Sequence, residues 1–90
     1  MNRYLVYVDG RVQGVGFRFF ACQHARARHL TGSVKNLENG LVEIYIQGEE
    51  EQINSFLSAI QQGNRFIRVD QISVKKIPNV EKEREFIYLY

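Results

Sequence analysis

The sequence predicts an α+β fold, a two-layer sandwich in which two helices cover one face of an antiparallel sheet. Several short segments alternate apolar with polar residues, which is typical of half-buried strands, and two segments between them look helical. The glycines and the single proline punctuate the chain where turns are expected. Ninety residues suffice for one domain of this kind, spanning 1–90, and leave no room for a second.

The first third of the chain predicts a strand, a glycine-rich loop and a helix. Residues 3–9 are rich in aromatic and β-branched side chains, which favour a strand. Residues 10–16 contain three glycines and are predicted to form a loop. From Phe17 to about Arg28 alanine and arginine are frequent, which favours a helix.

The middle of the chain predicts a β-hairpin. The pair Asn39-Gly40 lies between two strand-like segments and is the strongest local signal for a tight hairpin turn. In the second arm Val42, Ile44 and Ile46 alternate with more polar residues. Because side chains alternate between the two faces of a strand, we expect these three residues to be buried.

Residues 49–62 give the clearest helical pattern. Three glutamates at the start place negative charge where the helix dipole favours it. The apolar residues recur at i, i+3, i+4 and i+7, and so form one stripe: Ile53, Phe56, Leu57 and Ile60. Gly63 is a natural residue to end the helix.

Two further strands complete the predicted fold. Residues 69–76 alternate, with Ile72 and Val74 on one face, and residues 85–90 resemble a closing strand. The order is therefore β-α-β-β-α-β followed by a terminal strand. This order is the split β-α-β, ferredoxin-like arrangement.

Composition excludes several classes of function. Twelve basic residues against ten acidic ones give a net charge of +2, too small to indicate nucleic-acid binding. The single cysteine, Cys22, excludes an internal disulfide and a thiolate-rich zinc site. The chain contains no apolar segment long enough to span a membrane and no signal-peptide core at its start. We therefore expect a cytoplasmic monomer that binds neither nucleic acid nor membrane.

The segment GRVQGVGFR, residues 10–18, is the most informative motif. Gly14 and Gly16 can adopt backbone angles closed to other residues, so successive N–H groups can converge on one point. The helix that follows directs its positive end to the same place, and Arg18 adds a guanidinium suited to phosphate oxygens. The alternative interpretation is that the glycines only form a tight turn and that Arg18 is a solvated residue of the helix. A nucleotide loop is disfavoured, since Phe19 occupies the position of the third glycine of the dinucleotide motif.

The segment GSVKN, residues 32–36, contributes a second candidate. Asn36 can both donate and accept hydrogen bonds, so it can orient a neutral nucleophile such as water. Its alternative role is to cap its own backbone at the end of a strand. In the predicted sheet the first two strands could bring Asn36 within reach of the glycine-rich loop.

These motifs, with the ending EREF, closely resemble the acylphosphatase family over essentially the whole chain. The resemblance implies hydrolysis of small acyl phosphates to a carboxylate and inorganic phosphate, without metal or cofactor. It implies that Arg18 binds the phosphoryl group and that Asn36 positions the attacking water. The implied phosphate-binding set is Gln13, Gly14, Val15, Gly16, Phe17 and Arg18.

Other chemistries are less well supported. Cys22 and Arg28 match the spacing of cysteine-dependent phosphatases, but the residues between them favour a helix over a phosphate loop. Cys22 is therefore expected to be a partly buried packing residue. His24 and His29 lack the i, i+4 spacing of helical metal ligands. His29, with Arg26 and Arg28, is typical of a helix C-terminus, where positive charge complements the helix dipole.

Two binding functions are alternatives to hydrolysis. RNA-recognition modules share this element order, but they need several aromatic residues on the third strand, where this chain has only Tyr45. The stronger alternative is a domain that binds phosphate or an acyl phosphate without hydrolysing it, as a sensor or as a module of a larger enzyme. Turnover of benzoyl phosphate would separate the enzyme from the binding module.

Overall fold

The computed structural model describes all residues from 1 to 90. It confirms the predicted order of five strands and two helices, which are β1 (Asn2–Arg11), α1 (Phe17–Ala27), β2 (Thr31–Asn36), β3 (Val42–Gly48), α2 (Glu50–Gln62), β4 (Arg68–Ile77) and β5 (Phe86–Leu89). Neither helix has the length and apolarity needed to cross a membrane.

The five strands form one sheet in the order β4-β1-β3-β2-β5. The pairs β4–β1, β1–β3 and β3–β2 are antiparallel, whereas β5 is parallel to β2. The sequence predicts an antiparallel sheet. The observed sheet is antiparallel except at one edge, where β5 makes it mixed. The reason is topological: β4 and β5 occupy opposite edges, so the chain crosses one end of the sheet and enters β5 in the direction of β2.

One apolar core lies between the sheet and the two helices. The alternating residues of β3, Val42, Ile44 and Ile46, are fully buried, as predicted. From α2 the residues Ile53, Phe56 and Ile60 are fully buried against the same face. Burial of each such side chain contributes about 1.5–3 kcal/mol.

The hairpin between β2 and β3 forms at the predicted place. Gly40 donates a backbone hydrogen bond of 3.2 Å to Leu37, and Leu37 donates one of 2.9 Å to Leu41. Gly40 has a φ of 92°. This pattern is a turn followed by one left-handed residue, so the loop is Glu38-Asn39-Gly40 and not a two-residue turn at Asn39-Gly40.

The connection between β4 and β5 is fastened to the helix-free face of the sheet. Arg3 is 7% exposed, and its Nη1 lies 2.7 Å from Oε1 of Glu83. The side-chain amide of Gln47 donates to the carbonyl of Val80 and accepts from its N–H, each at 3.0 Å. These contacts hold the crossing segment in place and deliver β5 to the edge of β2.

Candidate active site

The loop between β1 and α1 presents free backbone donors. Gly14 and Gly16 have φ values of 75° and 82°, angles that residues with side chains rarely adopt. The backbone N–H groups of Gln13, Gly14, Val15 and Gly16 donate no hydrogen bond within the chain. Successive free N–H groups in such a turn form a concavity that suits an anion.

The amino end of α1 adds to this concavity. Gly16 is the N-cap residue, no side chain caps the helix, and the first turn contains no acidic residue. The partial positive charge of the helix end is therefore not neutralised from within the chain. Phe17 begins the helix and is 1% exposed, so core packing fixes where the helix starts.

Arg18 is held by the last strand. Its Nη1 donates a hydrogen bond of 3.0 Å to the carbonyl of Leu89. Its Cζ lies 4.4 Å from the ring centroid of Tyr88 and 5.8 Å from that of Tyr90, so the guanidinium makes cation–π contacts. It makes no other hydrogen bond, so Nε and Nη2 remain available to a ligand.

Asn36 is the last residue of β2 and faces the helix side of the sheet with its partner Val42. Its Oδ1 is buried and has no hydrogen-bond partner within the chain. A buried acceptor in this state costs about 1–3 kcal/mol and is uncommon in folded proteins. A donor such as a water molecule or a ligand group would satisfy it.

These groups meet in one small cavity of ≈ 70 Å³, whose lining residues are Val12, Gly14, Gly16, Phe17, Arg18, Asn36 and Tyr88. Five of the residues singled out from the sequence are therefore brought together. Three larger depressions, of ≈ 330 to 380 Å³, share no residue with it. We centre the site on the small cavity because only there do free loop donors, a guanidinium and an unpaired buried acceptor coincide.

Two of the predicted residues, Gln13 and Val15, do not line the cavity. The side chain of Val15 packs against the core, and that of Gln13 turns to the β2–β3 hairpin. Conversely, Val12 and Tyr88 line the cavity although neither was among the predicted site residues; Val12 lies within the motif of residues 10–18 and Tyr88 outside any motif. The only sequence signal for Tyr88 was its alternation with the buried Phe86 in the closing strand.

The thiol and the imidazole of α1 lie outside this site. Cys22 is 2% exposed, in a segment that is helical as predicted, and burial raises the pKa of its thiol. A buried thiol with a raised pKa is a poor nucleophile. Burial, aided by Arg28, lowers the pKa of His24. No group of three or more His, Cys, Asp or Glu residues is close enough to hold a metal ion.

Comparisons with known proteins show similarity over almost the whole chain. The model of the family described as acylphosphatase matches residues 4–88. A curated acylphosphatase of Clostridium acetobutylicum is 51% identical over 90 residues, which is 100% of this chain and 99% of that protein. The crystal structure of acylphosphatase from Bacillus subtilis superimposes over 100% of both chains, with a TM-score of 0.94 and 43% identity. The structure from Coxiella burnetii has a TM-score of 0.89 and 33% identity, over 98% of this chain and 92% of that one.

Proposed function

The chain belongs to the acylphosphatase family and hydrolyses acyl phosphates, and from this premise we propose which residues carry the reaction. In the proposal Arg18 and the N–H groups of residues 13–17 bind the phosphoryl group, and Asn36 holds the attacking water. One observation carries it: Arg18, Asn36 and the loop glycines come from separate segments of the chain yet line the same cavity.

The phosphoryl group carries negative charge on three oxygens, and this charge has to be stabilised as the group is transferred. The free loop N–H groups are fixed donors that need no rearrangement when the charge develops. Arg18 supplies a full positive charge, and its contacts with Tyr88 and Leu89 fix the plane of the guanidinium before substrate arrives. The cradle therefore favours the transition state by position and by charge.

Water attacks on the side of the phosphorus opposite the acyl group. Its oxygen forms a bond to phosphorus while the bond from phosphorus to the acyl oxygen breaks, and the carboxylate leaves with the electron pair. A proton of the water passes to the phosphate product. Because a carboxylate is a good leaving group, no general acid is needed on that side, and positioning of the water becomes the main task. Oδ1 of Asn36 would accept one hydrogen of this water.

We further propose that residues 1–90 form one domain that acts as a monomer in the cytoplasm. A single cluster of 17 buried apolar residues joins both helices to the sheet. The lone cysteine is unpaired and buried, which is consistent with a reducing compartment. Sedimentation at the mass of one chain would test the monomer.

Asn36→Ala tests the assignment of roles. We expect kcat for benzoyl phosphate to fall by about 10²-fold, as when one group that orients the reacting atoms is removed. The inhibition constant of inorganic phosphate should change little, because Arg18 and the loop remain. Asn54→Ala is the matched control, since Asn54 is exposed on α2 and makes no side-chain hydrogen bond.

Two results would contradict these assignments. If Asn36→Ala weakened phosphate inhibition as much as it lowered kcat, Asn36 would be a phosphate ligand and not a water-holding residue. If the unmodified chain bound phosphate saturably but did not turn over benzoyl phosphate, the binding-only alternative would be favoured. Family membership favours the catalytic function.

A further inference from the structure

The side chain of Gln13 joins the loop between β1 and α1, residues 12–16 and here called the phosphate loop, to the β2–β3 hairpin. Its Nε2 donates hydrogen bonds of 2.8 Å to the carbonyl of Leu37 and 2.9 Å to the carbonyl of Leu41. A glutamine amide nitrogen has two hydrogens, so both are used here. Leu37 and Leu41 are themselves paired at the base of the hairpin loop. One side chain therefore connects both arms of the hairpin to the loop.

The position of these contacts links the two halves of the proposed site. Leu37 directly follows Asn36 in the chain, and Gln13 directly precedes Gly14, which lines the cavity. We infer that Gln13 is a positioning residue that fixes the distance and angle between the bound phosphoryl group and the water held by Asn36. This inference rests on the proposed roles of the loop and of Asn36.

In-line attack is sensitive to this distance. A productive arrangement brings the reacting atoms to about 3–3.5 Å, and a misplacement of about 1 Å can cost 10²-fold in rate. The loop and the hairpin belong to different parts of the sheet, since β1 and β2 are separated by β3. Without the side chain of Gln13, the relative position of the loop and the hairpin at this end of the sheet depends only on the pairing of β1 with β3 and of β3 with β2.

The contact is not needed to hold the hairpin together. β2 and β3 pair along six residues from Thr31 to Asn36, and Val34 and Ile44 are fully buried. Gln13 itself is exposed. Variants at this position should therefore fold, and thermal unfolding would verify that they do.

Gln13→Ala removes both hydrogen bonds and leaves the backbone N–H groups of the loop in place. We expect kcat for benzoyl phosphate to fall by about tenfold to a hundredfold. The inhibition constant of inorganic phosphate should stay within about threefold of the wild-type value, a change smaller than the loss in kcat. An unchanged kcat, or a phosphate inhibition constant that rises in proportion to the loss of kcat, would overturn the inference.

The pH dependence of kcat in Gln13→Glu separates a positioning role from a purely structural one. At neutral pH its carboxylate faces two carbonyl oxygens and has no hydrogen to donate. Once protonated, near the usual carboxyl pKa of about 4.3, it can donate one hydrogen bond again. The ratio of kcat between Gln13→Glu and Gln13→Ala should therefore rise from pH 7 towards pH 4.5. A flat ratio would overturn the inference.

Gln52→Glu controls for the added charge in this experiment. Gln52 is exposed near the start of α2 and makes no side-chain hydrogen bond. The kcat of Gln52→Glu should equal that of the wild type at every pH. A ratio that rises for Gln13→Glu but not for Gln52→Glu excludes a general effect of one added carboxylate. If the phosphate inhibition constant of Gln13→Glu also stays parallel to that of the wild type over this pH range, repulsion of the phosphoryl group is excluded and the effect belongs to the contact with the hairpin.

The double variant Gln13→Ala with Asn36→Ala tests whether Gln13 acts through Asn36. If it does, the double variant should be no slower than Asn36→Ala alone, because the losses of coupled residues do not multiply. If the losses in kcat of the two single variants multiplied in the double variant, the role of Gln13 would be overturned and the proposed function would stay intact. If Asn36→Ala alone kept the wild-type kcat, the proposed function would fail, and with it the inference about Gln13.

Discussion

The two helices of this protein begin in opposite electrostatic settings. α1 starts with no acidic residue in its first turn, and neither helix has a side-chain hydrogen bond that caps its first turn. α2 starts with Glu49 at its N-cap, and Glu50 and Glu51 occupy its first turn. One carboxylate of α2 is also tied to β1, since Glu50 accepts hydrogen bonds of 2.6 Å from Asn2 and 2.7 Å from Tyr4.

The difference indicates that the same physical property stabilises one helix and is left available for an anion at the other. The positive end of α2 is neutralised by carboxylates of its own chain, which stabilises the folded state. The positive end of α1 is left open, next to four unpaired loop N–H groups and to Arg18. An open end of this kind forgoes some stability and provides a place for an anion.

Removing the cation at the open end should have the largest effect. Arg18→Gln is expected to lower kcat/KM for benzoyl phosphate by at least about 10³-fold, the scale seen when an arginine is removed from phosphoryl transfer. Inhibition by inorganic phosphate should be largely lost. Arg65→Gln is the control for charge, because Arg65 is exposed and its guanidinium makes a cation–π contact with Phe66 but no hydrogen bond or salt bridge. Unchanged phosphate inhibition of Arg18→Gln would contradict the comparison of the two helix ends.

Giving α1 the acidic start of α2 should have an intermediate effect. Phe19 is 61% exposed in the first turn of α1, so Phe19→Glu places a carboxylate at the helix end without disturbing the core. The carboxylate should compete with phosphate and raise its inhibition constant by about twofold to fivefold, which corresponds to a dipole interaction of about 0.3–1 kcal/mol. Phe19→Gln should leave the inhibition constant unchanged.

The reciprocal change in α2 sharpens this test. Glu51→Gln removes a first-turn carboxylate and should lower the free energy of unfolding by about 0.3–1 kcal/mol, with no change in kcat or in phosphate inhibition. If Phe19→Glu did not weaken phosphate inhibition, or if Glu51→Gln did, the two helix ends would not differ in the way described.

The smallest expected effect is a pH dependence at the closed end. The hydrogen bond to Glu50, with burial and the charge of Glu50, raises the pKa of the Tyr4 phenol. Because the folded pKa lies above the unfolded value of about 10, the contact stabilises the protein at neutral pH and is lost as the pH rises through the folded pKa. The unfolding temperature of wild type should thus fall more between about pH 8 and pH 11 than that of Tyr4→Phe. Equal decreases would show that this contact contributes nothing to alkaline stability.

The parts of the fold and of the site that the sequence predicted are mostly those encoded by local pattern. The placement of Asn36 beside the loop is the exception, since it was inferred from the predicted sheet and from the family resemblance. The glycines, the start of α1 and the buried face of β3 each depend on residues close together in the chain. The support of Arg18 by Tyr88 and Leu89 was not predicted, because it depends on β5 crossing to the edge beside β2. The contacts of Gln13 with the hairpin were missed for the same reason, since only the folded sheet brings the loop and the hairpin to the same end.

The hairpin shows where local pattern reaches its limit. Asn39-Gly40 correctly located the turn, but the length of the loop depends on which residues pair at its base. That pair is Leu37 with Leu41, which leaves three residues in the loop. Strand register, and not the dipeptide, fixed the type of turn.

The support of Arg18 by Leu89 has a consequence for the order in which the protein folds. The two residues are 71 positions apart, so their hydrogen bond closes a long loop and can form only when β5 has paired with β2. An intermediate that has formed the loop between β1 and α1 but has not docked β5 leaves the guanidinium without this anchor. We therefore expect activity to return during refolding no earlier than the docking of β5.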